Sequence, residues 1–144
     1  MQIIKSYEPE KHAKWIYNNH ETIFNEKNWY HIVEYKLLKG WIYLIANKIV
    51  GSCLYGVDLN DVKCGRESWY FAYLGILPEY QNLGIGSMLL KKLIEHADKC
   101  RANLECNTYN TNTSAINLYT KNDFVISKTG HILTLNRRPK KLKS

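Results

Sequence analysis

The spacing of hydrophobic residues along the chain predicts strands and helices in alternation. Residues 2–7 read as a short strand. Pro9 suits the first turn of a helix, where its missing N–H has no intrahelical partner. A helix is predicted from there to about Asn19, with Ala13, Ile16 and Tyr17 on one side. A second helix is predicted from about Asn25 to Leu38, stopped by Gly40. Residues 41–46 and 49–55 are rich in β-formers and are separated by Asn47-Lys48, which predicts a hairpin. Residues 56–66 hold Gly, Asp, Asn and Lys and read as a loop, and residues 68–77 are again β-rich up to Pro78. From Gly84 to about Lys99 the period becomes helical, with Leu89, Leu90, Leu93, Ile94 and Ala97 forming one apolar stripe. Residues 103–109 then predict a strand, 114–122 a short helix, and 124–129 with 131–135 a strand pair around Gly130. The strand–helix–strand stretch 68–109 should be a right-handed crossover joining parallel strands.

These elements make an α+β protein, a three-layer α/β/α arrangement around a mixed sheet. No repeat, low-complexity stretch or flexible linker divides the chain, so residues 1–136 are expected to form one domain, followed by a basic tail at 137–144. At 144 residues, with 45% hydrophobic and 23% charged residues, the chain can bury a core of its own, and a disordered or collagen-like chain is excluded. The longest apolar run, 41–46, falls far short of the roughly 20 residues a membrane span needs, and the first residues lack a secretory pattern. A cytoplasmic protein with no membrane partner is expected. Cys53, Cys64, Cys100 and Cys106 form no C-x-x-C pair, so they are expected as unpaired thiols.

Charge is unevenly placed. Residues 1–80 carry nine Lys/Arg and nine Asp/Glu, whereas residues 81–144 carry eleven against four, which accounts for the whole net charge of +7. Five of these positive charges, Arg137, Arg138, Lys140, Lys141 and Lys143, lie in the tail, where a solvated, frayed end is the simplest expectation. An anionic ligand held by the second half, or nucleic acid drawn to the tail, are the other readings, nucleic acid being the less favoured.

The chemistry concentrates in Ile76-Leu77-Pro78-Glu79-Tyr80-Gln81-Asn82-Leu83-Gly84-Ile85-Gly86-Ser87. Here a strand passes through a turn into a helix that two glycines open. Without Cβ atoms in the way, backbone N–H groups can approach an anion closely, and the helix N-terminus adds unpaired donors and the positive end of the dipole. The arrangement suits a pyrophosphate. No G-x-x-x-x-G-K-[ST] string occurs, and Leu89 stands where a G-x-G-x-x-G loop needs its third glycine.

The string Q-x-x-G-x-G, preceded by an apolar strand residue five positions earlier, resembles motif A of the GNAT acyl-CoA N-acyltransferases. Downstream, Asn112-Thr113-Ser114-Ala115-Ile116-Asn117-Leu118-Tyr119, followed by Asp123-Phe124, resembles motif B of the same family. The resemblance implies the GNAT fold and direct transfer of an acetyl group from acetyl-CoA to an amine in a ternary complex, with no metal. It implies that Leu74, Gly75 and Ile76 pair with the pantetheine arm and offer an N–H to the carbonyl oxygen. It further implies that Gln81, Asn82, Leu83, Gly84, Ile85, Gly86 and Ser87 hold the pyrophosphate, that Asn112 bonds the pantetheine, and that Tyr119 binds the cofactor and protonates the leaving thiolate. Asn112 is equally a natural helix N-cap. Asp123 stands where the family usually has Gly, a position Asp can fill in a turn or left-handed conformation.

The base is less defined. Many family members carry Glu where this chain has Tyr70. Leu104-Glu105-Cys106 is similar to the Leu-Glu-Val run of the ribosomal-protein N-terminal alanine acetyltransferases, although this chain has about two extra residues before Asn112. Glu105 alternates with Leu104 and Cys106 on the strand, so it is the candidate base, with a solvated carboxylate or proton loss through water as alternatives. An α-amine has a pKa of about 8 and a lysine side chain about 10.4, a difference of roughly 3 kcal/mol in deprotonation cost at neutral pH. A site without a strong base is therefore easier to reconcile with an α-amine. The acceptor side would come from the first 80 residues, which hold fifteen of the eighteen aromatics, among them Trp15, Trp29, Tyr30, Trp41, Trp69 and Tyr73. Most of these are expected in the core. A non-catalytic acyl-CoA-binding module is the alternative function, and the oligomeric state, a homodimer included, is left open.

Overall fold

The structure is a computed structural model that describes residues 2–25, 32–63 and 66–140. Trp29, Tyr30, Cys64, Lys141, Lys143 and the expected helical residues 26–31 lie outside the described residues. Along the chain come β1 (Gln2–Ser6), α1 (Pro9–Phe24), α2 (Ile32–Lys36), β2 (Lys39–Ile45), β3 (Lys48–Lys63) and β4 (Arg66–Ile76). A 3-10 turn at Pro78–Tyr80 precedes α3 (Ile85–Cys100), β5 (Asn103–Tyr109), α4 (Thr113–Lys121), β6 (Val125–Lys128) and β7 (Ile132–Arg137). The seven strands are hydrogen-bonded in the order β1-β2-β3-β4-β5-β7-β6. β4 and β5 run parallel, as the predicted crossover requires, while β1/β2, β2/β3, β5/β7 and β6/β7 are antiparallel. This is a mixed α+β fold.

The chain divides into two compact units, one of Met1–Gly56 with Ala72–Leu93, the other of Val57–Phe71 with Ile94–Ser144. In the first unit, Ala13 and Ile16 of α1 are buried with Tyr7, Tyr35, Leu38, Ile42, Leu54 and Tyr73. A fully buried aliphatic such as Ile16 contributes about 1.5–3 kcal/mol. The Tyr7 hydroxyl donates to the Tyr35 carbonyl at 2.7 Å. The apolar stripe of α1 continues to a buried His20, so the helix outruns its expected end at Asn19. It stops where Asn25 turns left-handed (φ 52°) and returns its N–H to the Glu21 carbonyl.

Two sequence expectations shift here. The hairpin turn is Ala46-Asn47, both at positive φ (50° and 67°), with Ile45 facing Lys48, rather than Asn47-Lys48. Two positive φ angles are what a type I′ turn demands, and Asn tolerates them better than Lys does. Gly40 does not stop α2, which ends at Lys36. It lies in β2 opposite Leu54, where a Cβ would collide with the Cys53 carbonyl oxygen, so close backbone approach requires the glycine.

The second unit corrects the expected loop at 56–66. β3 continues through Lys63 and β4 begins at Arg66. Leu104, Leu135 and Phe124 are buried, and β5 pairs with β4 at Ser68↔Asn103, Trp69↔Leu104 and Tyr70↔Glu105. Arg137 also departs from expectation. It is the last residue of β7 rather than part of a frayed end, only 4% exposed, and it grips the Asp98 carboxylate at 2.7 and 3.3 Å. Lys140 pairs with Asp123, while Arg138 is exposed.

Candidate active site

In the first unit the end of β4 is pinned on both sides. The Leu77 N–H donates to the Val50 carbonyl at 2.8 Å, and Gln81, which the family resemblance assigns to the ligand, donates from its Nε2 to the Ile76 carbonyl at 3.0 Å. The Gln81 side chain thus closes the turn that leads from Ile76 to α3. Asn82 (φ 65°) and Gly84 (φ 83°) take the left-handed conformation that reverses the chain into the helix. Ile85 is buried and anchors the first turn, whereas Asn82, Leu83, Gly84 and Ser87 are exposed. By helix geometry, the N–H groups of this first turn have no partner within the helix.

Gly86 is the telling residue. Its φ lies outside the left-handed range, and among the described residues a Cβ built on it meets no atom within 4 Å beyond its own stretch of helix. Neither backbone conformation nor packing within the protein therefore demands glycine here, and glycine costs a helix stability relative to alanine. The same open space surrounds Gly84. Left-handed backbone accounts for the glycine at 84, but at Gly86 a backbone donor at a helix start is cleared of a side chain for no internal reason, which fits a pyrophosphate.

Leu74, Gly75 and Ile76 form the last strand residues before the turn. Gly75 is buried and overlaid by its neighbour: a Cβ there would come within 2.7–2.8 Å of the Tyr73 hydroxyl and ring. Tyr73 is itself buried, and burial pushes its phenol far above the ordinary value, Tyr35 adding to the effect.

In the second unit, Asn112 caps α4, its Oδ1 accepting from the Ala115 N–H at 3.3 Å. Tyr119, on the same helix, is half-buried in an aromatic group, with its ring centroid 5.5 Å from Phe71 and 5.6 Å from Phe124. Asp123 does adopt the left-handed conformation (φ 71°), and the Lys140 ammonium bonded to it holds its carboxyl below the usual range. Glu105 is half-buried between the buried Leu104 and Cys106, with Tyr70 of β4 as one register partner and Asn136 of β7 as the other. Burial first, and then the Glu105 charge, push the Cys106 thiol up to about 12. The structure therefore sets Tyr70 beside Glu105. Nothing in the sequence announced that Gln81 would be spent on the turn, or that Tyr73 would lie against Gly75, since both follow from side-chain direction.

A strand-to-helix cradle that suits a pyrophosphate, in a mixed seven-stranded sheet, fits the class of transferases whose motifs the sequence resembles. The chain belongs to the acetyltransferase (GNAT) family, whose model matches residues 2–124. It is an N-acetyltransferase that carries acetyl from acetyl-CoA to an amine. Among solved structures it is similar to the ribosomal-protein-S18-alanine N-acetyltransferase of Escherichia coli, with TM-score 0.81, 18% identity, and coverage of 99% of this chain and 97% of that one. It is also similar to Arabidopsis thaliana NAA60 in complex with a bisubstrate analogue, with TM-score 0.81, 12% identity, and coverage of 99% and 100%. A third is Arabidopsis thaliana Naa50 in complex with the bisubstrate analogue CoA-Ac-MVNAL, with TM-score 0.74, 18% identity, and coverage of 94% and 97%. A comparison with curated proteins finds no match. No helix among the described residues is long and apolar enough to cross a membrane.

Proposed function

We propose that the acceptor is the α-amino group of a peptide or protein, acetylated in a ternary complex with acetyl-CoA. The observation that carries this is the place of Glu105, half-buried on β5 in register with Tyr70. A single carboxylate of that kind suffices for an amine with a pKa of about 8, but is poorly matched to a lysine side chain at about 10.4. The E. coli structure is that of an enzyme named for a ribosomal-protein alanine, and the Naa50 ligand joins CoA to a peptide, which supports the same acceptor class here.

In this reading the N–H groups at Gln81–Ser87 hold the pyrophosphate, and Leu74, Gly75 and Ile76 pair with the pantetheine. The strand N–H stabilises the charge that builds on the carbonyl oxygen. The amine nitrogen attacks the thioester carbon, Glu105 takes the amine proton, the C–S bond breaks, and Tyr119 protonates the departing thiolate. The products are the acetylated amine and CoA thiol. Asn112 serves the helix cap and the pantetheine together. The reaction belongs in the cytoplasm, in keeping with the free thiols of Cys53, Cys100 and Cys106.

The test is thiol release from acetyl-CoA with short unblocked peptides, set beside a pool of polyamines, amino acids and aminoglycosides. Release with the peptides, abolished by blocking their N-termini, is expected, and Glu105→Gln should lower it about 100-fold. Release with small amines alone would overturn the peptide reading.

A further inference from the structure

In the first unit, α1, α2 and β4 bring the rings of Tyr73, Phe24, Tyr35 and His20 together, with Tyr17 beyond Tyr35. Tyr73 meets Phe24 edge-on at 5.2 Å and Tyr35 at 6.2 Å, with the His20 ring at 6.4 Å; Tyr17 meets Tyr35 in turn. His20 Nδ1 lies 3.4 Å from the Tyr35 hydroxyl. The Tyr73 hydroxyl is fully buried and has no hydrogen-bond partner among the described residues. Leaving a buried hydroxyl unpaired destabilises a protein, and phenylalanine would fill the same space without that cost. The oxygen sits against Gly75, in the stretch proposed to hold the thioester. Phe24, whose ring lies 5.2 Å from that of Tyr73, is 36% exposed.

We propose that the Tyr73 hydroxyl contacts the acceptor, its oxygen accepting a hydrogen bond from the N–H of the attacking amine and so aiming the nitrogen lone pair at the thioester beside Gly75. The amine displaces the Phe24 ring to reach it. Burial keeps the phenol protonated at any working pH, so Tyr73 orients the amine and does not remove its proton. The acceptor it favours presents a neutral primary amine beside an apolar side chain, which Phe24 and Tyr17 would pack against. This inference rests on the proposed peptide acceptor.

The isosteric Tyr73→Phe change tests it, using short peptides beginning with Ala, Ser or Met. Removing one neutral hydrogen bond made to the acceptor should lower kcat/KM for the peptides about tenfold. The acetyl-CoA Kd should stay unchanged, and Tm should hold or rise because an unpaired buried group has been removed. A variant that fails to fold or melts lower would show that the hydroxyl serves the fold, and would overturn the proposal. So would unchanged peptide kinetics, or a loss confined to acetyl-CoA binding. Wild-type protein that releases no thiol with any of these peptides would overturn the peptide reading itself and this inference with it. Wild-type turnover with an unaffected variant would overturn the inference alone.

Discussion

Thiol reactivity in this protein is set by burial residue by residue. Cys53 and Cys106 are buried, and both thiols are pushed well up, Cys106 to about 12, whereas Cys100 is exposed at the end of α3. Because only the thiolate reacts, brief alkylation of the native protein at about pH 8 should label Cys100 and spare Cys53 and Cys106, as peptide mass mapping would show. The sequence already pointed to unpaired thiols, since Cys53 and Cys106 fall in β-rich runs. Tyr119 offers a second test at this scale. Its ring packs on Phe71 and Phe124, and Tyr119→Phe keeps that packing while removing the proposed proton donor. Steady-state kinetics should show kcat lowered about 100-fold with Tm little changed.

At the level of elements, α1 begins with a titratable cap. Glu8 makes no side-chain cap, and its N–H instead donates to His12 Nδ1 at 2.9 Å. Only a neutral imidazole can accept that bond. Desolvation is the main cause lowering the His12 pKa; Glu8 opposes the shift, while Lys11 and Lys5 assist it. A histidine depressed in the folded state binds fewer protons there than in the unfolded chain. Its contribution is therefore complete above the unfolded value of about 6.5 and is lost as pH falls through the lower folded value. Wild-type Tm should drop more between about pH 7.5 and pH 5 than the Tm of His12→Gln, as thermal melts at each pH would reveal.

Elements with one clear signal were legible in the sequence. The apolar stripe of α3 fixed that helix to within a residue, and β5 was read at its true bounds. Errors came elsewhere. Gly, Asp, Asn and Lys in 56–66 pointed to a loop by composition, and β3 nevertheless continues through Lys63. Gly40 satisfied the pattern of a helix stop, yet its role is a close backbone contact with β3 that only three-dimensional structure can reveal.

For the whole molecule, the basic C-terminal half is partly a structural device. Arg137 carries a buried charge answered by Asp98 of α3, which also accepts the Lys140 N–H at 3.0 Å. Removing one partner of a buried pair strands the other, so Asp98→Ala should cost about 3 kcal/mol in chemical denaturation, whereas Arg137→Met, which removes the buried charge itself, should cost less. The cradle was legible because Gln81, Gly84 and Gly86 stand at a spacing that few other structures require. The acceptor side was not, because aromatics that fill a core and aromatics that line a site look the same in sequence.

We propose that the glycine-cleared start of α3 serves acetyl-CoA. The most direct measurement is calorimetric titration of acetyl-CoA into wild-type protein and Gly86→Ala, with Tm recorded for both. Open space around Gly86 predicts that alanine holds or raises stability, by about 0.5 kcal/mol, while acetyl-CoA binding weakens at least about tenfold. Equal affinity in the two proteins, or no binding to the wild type, would show that the start of α3 does not hold acetyl-CoA.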